Sequence, residues 1–167
     1  YDPLFLGRGH TEGGFSFEGE DGGVAWVTDA PGGVSAVRFG RFGYVTNNLF
    51  AQASVTNYGT GRLSWQWTSD SEGEHDNLGF FIDGTRTNWI SGKFDGYWYF
   101  SEFTVTSDRF EGKDSKLNIF NFRYQKDDDV SMFNDCAWLR GVNWEPSYKV
   151  TLHNGHVTSG VATEPDF

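Results

Sequence analysis

Apolar side chains recur along this chain at every second position, the spacing of a strand with one buried face and one wet face. Leu63, Trp65 and Trp67 alternate with Ser64, Gln66 and Thr68. Phe120, Phe122 and Tyr124 alternate with Asn121, Arg123 and Gln125. Leu78, Phe80 and Ile82 run into the turn pair Asp83-Gly84, and Phe15 and Phe17 flank Ser16. Further strands are predicted over 24–28, 34–39, 49–57, 87–91, 98–105, 138–142 and 148–152. Gly, Asn, Asp and Ser cluster between most of them, at 29–33, 57–61, 70–76, 92–96 and 126–135, where turns need those residues. No segment carries a helical stripe. About ten short strands with polar outer faces predict an all-β, two-sheet antiparallel β-sandwich. Trp65, Trp67, Phe122, Tyr124 and Trp138 are expected to share one core.

Composition agrees with strands and turns. Aromatics make up 18% of the 167 residues and glycine contributes 22, while helix-forming Leu, Met and Ala are scarce. The length suits one domain over residues 1–167. The opening Tyr1-Asp2-Pro3 and closing Glu164-Pro165-Asp166-Phe167 read as cuts in a longer polypeptide, so flanking domains are expected partners. The formal net charge is −10. That charge repels a phosphate backbone and an anionic lipid surface, so neither nucleic acid nor a membrane is an expected partner. It also favours a neutral or cationic ligand, unless calcium bridges to an anionic one. No run approaches the ~18 apolar residues of a membrane span. Cys136 is the single cysteine, so no internal disulfide forms.

The middle and end of the chain carry an ordered series of motifs. Gly61-Arg62-Leu63-Ser64-Trp65-Gln66-Trp67 leads to Ser71-Glu72, then Asp76-Asn77-Leu78-Gly79-Phe80-Phe81-Ile82-Asp83-Gly84, Ile90-Ser91-Gly92 and Trp98. Phe122-Arg123-Tyr124-Gln125-Lys126-Asp127 leads to Asp135-Cys136-Ala137-Trp138, and Phe17-Glu18, Trp26 and Ser35 lie upstream. Over roughly residues 15–142 the series resembles a concanavalin-like or MAM-like, jelly-roll β-sandwich module of bacterial extracellular multidomain proteins, among them adhesins, glycanases and proteases. The resemblance implies a secreted or cell-surface setting and a role in binding or spacing without catalysis. The module's last acid is Arg140 here. In many jelly-roll domains an early and a late acid share a cation between the chain ends. An Arg in the late position is expected to pair with Glu18 instead.

Two acidic groups are candidates for metal binding. Asp127, Asp128 and Asp129, followed by Asn134 and Asp135, supply the oxygens calcium prefers. Calcium held by Asp127, Asp128, Asp129 and Asp135 is the expected cofactor; a solvated Asp-rich turn is the plainer reading. Asp70, Glu72, Glu74 and Asp76 fall every second residue, where a structural role competes with cation binding. Glycoside hydrolases or lyases would use paired carboxylates. Glu72-Gly73-Glu74-His75-Asp76 is the nearest match to a glucanase-type strand motif, and it lacks the strand pattern. His10, His75, His153 and His156 have no zinc-ligand spacing, no nucleophile elbow occurs, and Gly7-Arg8-Gly9 is too short for a phosphate loop. No catalytic residues are assigned, and the chain is read as a non-enzyme.

Once the alternating rings are given to the core, Trp89, Tyr97, Tyr99, Trp144 and Tyr148 remain, close to strand ends and turns. Exposed rings beside short polar groups suit sugar stacking. The sequence therefore predicts a non-catalytic, lectin-like, carbohydrate-binding module with these five residues at the site. A peptide- or protein-binding adhesin domain, a structural spacer and a glycoside hydrolase or lyase are the alternatives. Short polar side chains beside the rings favour a glycan over a peptide.

Overall fold

The computed structural model describes residues 15–19, 23–40, 50–127 and 133–147. Ten strands form there: β1 (Ser16–Gly19), β2 (Val24–Ala30), β3 (Val34–Phe39), β4 (Phe50–Tyr58), β5 (Gly61–Asp70), β6 (Asn77–Ile82), β7 (Thr85–Ser91), β8 (Tyr99–Val105), β9 (Leu117–Gln125) and β10 (Cys136–Pro146). A short 3-10 turn at Ser107–Phe110 is the one helical element among the described residues. The strands make two five-stranded sheets, ordered β1-β4-β9-β6-β7 and β2-β3-β10-β5-β8, with antiparallel neighbours throughout. The fold is the expected all-β sandwich.

The alternation read from the sequence is the alternation that packs. Leu63, Trp65 and Trp67 of β5 meet Phe80 of β6 and Phe120, Phe122 and Tyr124 of β9 between the sheets, all buried. Trp65 is the hub of the ring cluster. Its ring lies 4.4 Å from Phe80, 5.4 Å from Phe122 and 5.4 Å from Trp67, edge-on to the last two. Tilted and edge-to-face pairs at these distances are favourable beyond the area they bury. Burial also pushes the Tyr124 hydroxyl far above its usual range.

Trp138 is not in this core. On β10, Ala137 and Leu139 point inward, and Leu139 pairs with Trp67, so Trp138 faces the other way. It is buried on the outer side of the second sheet with Ala30, Ala36 and Cys136, under Val27, Val34 and Trp98. The expected single core is therefore two clusters, because period-two geometry cannot send neighbouring residues to one face. Burial in this second cluster is the main reason the Cys136 thiol is pushed well above its usual range.

Strand β10 also runs further than the predicted 138–142, and its phase changes midway. Register shifts between Arg140 and Asn143, around Gly141 at φ +58°, a backbone angle that glycine adopts freely. Beyond this bulge Asn143 pairs with outward-facing Ser64, and Trp144 pairs with inward-facing Leu63. The ring of Trp144 thus enters the main core, 5.6 Å from Phe120. The predicted strand at 148–152 lies outside the described residues.

Candidate functional site: an aromatic cleft at the sandwich rim

Strand β7 closes one edge of the first sheet, and β8 closes an edge of the second. The segment 92–98 joins them, and it is fastened to the end of β5. The Ser69 hydroxyl and the Ser71 N–H donate to the Gly92 carbonyl at 3.0 and 3.2 Å, and the Phe94 N–H donates to Asp70 Oδ1 at 3.0 Å. The Asn134 side-chain amide also donates to Asp70, which makes that buried carboxylate a structural anchor. The Trp98 indole N–H donates to the Pro31 carbonyl at 3.2 Å, fixing the far end of the segment.

The two edges and the segment enclose a cleft of about 330 Å³. Trp89 and Tyr99 supply rings, and Thr68, Ser69, Ser91, Lys93 and Asp95 supply polar groups. The volume is at the small end of the range for ligand clefts, and the lining sets two rings beside several hydrogen-bonding groups. Trp89 is 44% exposed, Tyr99 47% and neighbouring Tyr97 68%. Asp95 organises the tyrosines, because it accepts the Tyr99 hydroxyl through Oδ2 and the Tyr97 N–H through Oδ1 at 3.1 Å. The Tyr99 hydrogen bond holds the Asp95 carboxyl below its usual range, and the same bond raises the Tyr99 hydroxyl. Ser91 accepts the Glu74 N–H at 3.0 Å, so its hydroxyl proton points elsewhere.

Trp89 is presented by the sheet beneath it. Glu18, Gln52, Arg123, Gly79 and Trp89 lie directly opposite one another on β1, β4, β9, β6 and β7, one row across the first sheet. Gln52 donates to Glu18 at 3.5 Å and accepts from Arg123 Nε at 2.9 Å. The guanidinium of Arg123 lies 4.8 Å from the Phe81 ring centroid. At Gly79 the row has no side chain. A Cβ there would come within 2.8 Å of the Phe81 ring and 3.2 Å of Arg86 Cδ. That gap lets Phe81 and the Arg86 stem lie across the strand, and the Arg86 guanidinium stacks 6.0 Å from the Trp89 ring centroid.

Of the five predicted ligand-binding residues, Trp89 and Tyr99 share the cleft and Tyr97 stands beside it. Trp144 is 1% exposed and belongs to the core, a correction that follows from the Gly141 bulge. Tyr148 lies outside the described residues, as do His10, His153 and His156.

Of the expected calcium ligands, Asp128 and Asp129 also lie outside the described residues. Asp127 faces His75, its Oδ2 3.3 Å from Nδ1, and donates its N–H to Asp76 Oδ1 at 3.1 Å. Asp135 is buried with its Oδ1 3.9 Å from the Lys126 ammonium, which also lies 3.4 Å from Asp76 Oδ2. Burial raises the Asp76 carboxyl above its usual range, against the Asp127 N–H and Lys126. Asp76, Lys126 and Asp135 thus form a buried ionic cluster in which an ammonium sits between two carboxylates. Among the described residues no three His, Cys, Asp or Glu side chains are placed to hold a metal.

The expected Glu18–Arg140 pair does not form, because the two residues are on different sheets. Arg140 donates through Nε to Gln66 Oε1 at 2.8 Å and stacks 4.3 Å from the Trp98 ring centroid.

Sequence reasoning missed Arg86, Lys93, Asp95 and Ser69 at the site. Only Asp95 left a trace, as a turn former in the cluster at 92–96. Arg86 and Lys93 are ordinary surface residues, and Ser69 a buried one, until the fold sets them beside Trp89.

The chain is thus a five-on-five antiparallel sandwich with a ring-lined cleft at its rim. No protein-family model matches the chain. No curated protein matches it significantly in sequence. Its fold is similar to that of TmCBM61, a carbohydrate-binding module solved in complex with β-1,4-galactotriose, at TM-score 0.54 and 11% identity over 83% of this chain and 92% of that one. CBM28, a module specific for non-crystalline cellulose, aligns at TM-score 0.47 and 16% identity over 86% of this chain and 92% of that one. The secreted serine protease VesC from Vibrio cholerae aligns at TM-score 0.47 and 12% identity over 69% of this chain and 22% of that one. Among the described residues no helix is long and apolar enough to cross a membrane.

Proposed function

We propose that this chain is a non-catalytic carbohydrate-binding module that takes its glycan in the cleft between β7, β8 and the segment 92–98. One observation carries the reading: exposed Trp89 and Tyr99 rings line a cleft with Thr68, Ser69, Ser91, Lys93 and Asp95. A pyranose presents C–H groups on its faces and hydroxyls around its rim, so it needs a flat ring beside short polar groups. Among the described residues the one carboxylate lining the cleft, Asp95, is committed to Tyr99 and Tyr97. Glycoside hydrolysis divides acid and base roles between two carboxylates, and among the described residues a single one lines the cleft. The similarity of fold to TmCBM61 supports the same reading. From the sequence motifs alone we further propose an extracellular setting beside flanking domains, a place among MAM-like or concanavalin-like modules, and calcium at the Asp127–Asp135 loop.

A glycan array followed by titration calorimetry tests it. Trp89→Ala is expected to weaken glycan binding by roughly 1–3 kcal/mol, the scale of losing a ring contact, with an unchanged melting temperature. A folded Trp89→Ala protein that binds as tightly as the wild type would remove the cleft from the binding site. Calcium bound only by the native protein would raise the melting temperature by mass action. Melting curves that coincide in calcium and in chelator would remove the metal.

A further inference from the structure

We infer that the Trp89 cleft selects a saccharide carrying an anionic group, a uronic carboxylate or a sulfate ester. The inference rests on the carbohydrate reading above and names the ligand class of that same site. The chain's net charge of −10 argues the opposite, because acidic residues outnumber basic ones by 23 to 13. Selection is local, however, and charges further away than about 8–10 Å are largely screened at physiological salt.

The charge around Trp89 is positive. Arg86 stacks on the Trp89 ring, and Lys93 lines the cleft with its ammonium 5.4 Å from the Phe133 ring centroid. Neither has a carboxylate partner among the described residues. Several other cations of this acidic protein do: Arg62 pairs with Glu102 and Glu145, Arg109 and Lys113 with Asp83, and Lys126 with Asp76 and Asp135, whereas Arg140, like Arg86, rests on a ring. Arg86 and Lys93 rest on rings instead, which leaves their N–H donors directed to solvent or ligand. Arg123 faces Trp89 across Gly79, two strands away and so about 10 Å distant, where screening leaves it little influence. The opposing charges include Asp95, which Tyr99 and Tyr97 occupy, Asp70, which accepts the Phe94 N–H beside Lys93 and the Asn134 amide, Glu74, whose N–H bonds Ser91, and Glu18 at the far end of the row, which accepts from Gln52.

A sugar stacked on Trp89 would place its exocyclic substituents at the ring margin, between Arg86 on the sheet and Lys93 in the cleft. Guanidinium and ammonium groups there recognise a carboxylate or sulfate by charge-assisted hydrogen bonds. A neutral hydroxymethyl group at the same point forgoes that attraction.

Three oligosaccharides of equal length provide the test: oligogalacturonate, a sulfated galactan fragment and the neutral galactan fragment, titrated into the full chain over a salt series. At least one acidic ligand is expected to bind about tenfold more tightly than the neutral one, with an advantage that shrinks as salt rises. Arg86→Gln and Lys93→Gln should each cut acidic binding about tenfold and neutral binding far less, so that the ratio of the two affinities falls while the melting temperature stays unchanged. Arg86→Lys should keep part of the preference. The two acidic arms separate carboxylate from sulfate. Equal affinity for neutral and acidic ligands, or an undiminished preference in the Arg86→Gln/Lys93→Gln variant, would overturn the inference and leave the carbohydrate reading intact. Equally effective competition by inorganic sulfate at matched ionic strength would show that charge alone is bound, and would also overturn it. Failure of all three oligosaccharides, with no other glycan bound on the array, would overturn both readings.

Discussion

Replacing Trp144 by alanine would open a large hole between the sheets, because its ring is fully buried against Phe120 and beside Gly61. The expected cost is about 3–5 kcal/mol, the usual range for a buried large ring, read as a lower urea midpoint. Trp89→Ala should leave that midpoint where it is, because the ring is half exposed and its loss creates no cavity. Two tryptophans near strand ends, indistinguishable by composition, thus separate into packing and binding. A Trp144→Ala protein as stable as the wild type would contradict the core assignment.

At the scale of elements, the turn joining β6 and β7 fixes how Trp89 is carried. Asp83 and Gly84 both have positive φ, +46° and +81°, as a two-residue hairpin between paired Ile82 and Thr85 requires. The Asp83 carboxylate also accepts the Ile119 N–H at 3.1 Å and faces Arg109 at 2.5 Å and Lys113 at 2.9 Å. Burial opposes its charged form, but the Lys113 and Ile119 hydrogen bonds and the Arg109 charge outweigh that and hold its pKa below the usual value. A carboxyl lowered in the folded state contributes stability that is present above its unfolded pKa and lost as pH falls through the folded one. Unfolding measured between pH 5 and pH 2 should therefore show a component that Asp83→Asn removes; the range brackets an ordinary Asp pKa of about 3.9. Asn tolerates positive φ, so the variant tests the charge without straining the turn. Parallel pH profiles for the two proteins would refute the assignment.

At the scale of the whole molecule, the Asp76–Lys126–Asp135 cluster ties the start of β6, the end of β9 and the start of β10 together. All three side chains are almost fully buried. Removing the ammonium alone strands two carboxylates away from water. Lys126→Met should therefore cost about 3–5 kcal/mol, whereas Lys126→Met combined with Asp76→Asn and Asp135→Asn should recover much of the loss. Denaturant unfolding of the two variants gives the comparison. A single variant no less stable than the triple one would mean that the cluster is not held by its charges.

The same cluster shows how much of the protein was legible in its sequence. Three charged members of the recognised motif series, Asp76, Lys126 and Asp135, meet in the interior, so these motif positions report structural chemistry. Strand existence, the inward faces of β5, β6 and β9, and the Asp83-Gly84 hairpin were determined locally, because alternation and turn chemistry act over a few residues. The face of Trp144 was not, because the Gly141 bulge changes the phase of β10 and only pairing with β5 reveals it. The site was half legible. Trp89, Tyr97 and Tyr99 stood out as rings that the core pattern did not use. Arg86, Lys93 and Asp95 joined them only when the edges of two sheets were brought together. A strand's pattern is written in adjacent residues, whereas a cleft between sheet edges depends on which strands become edges, and that is decided by tertiary pairing.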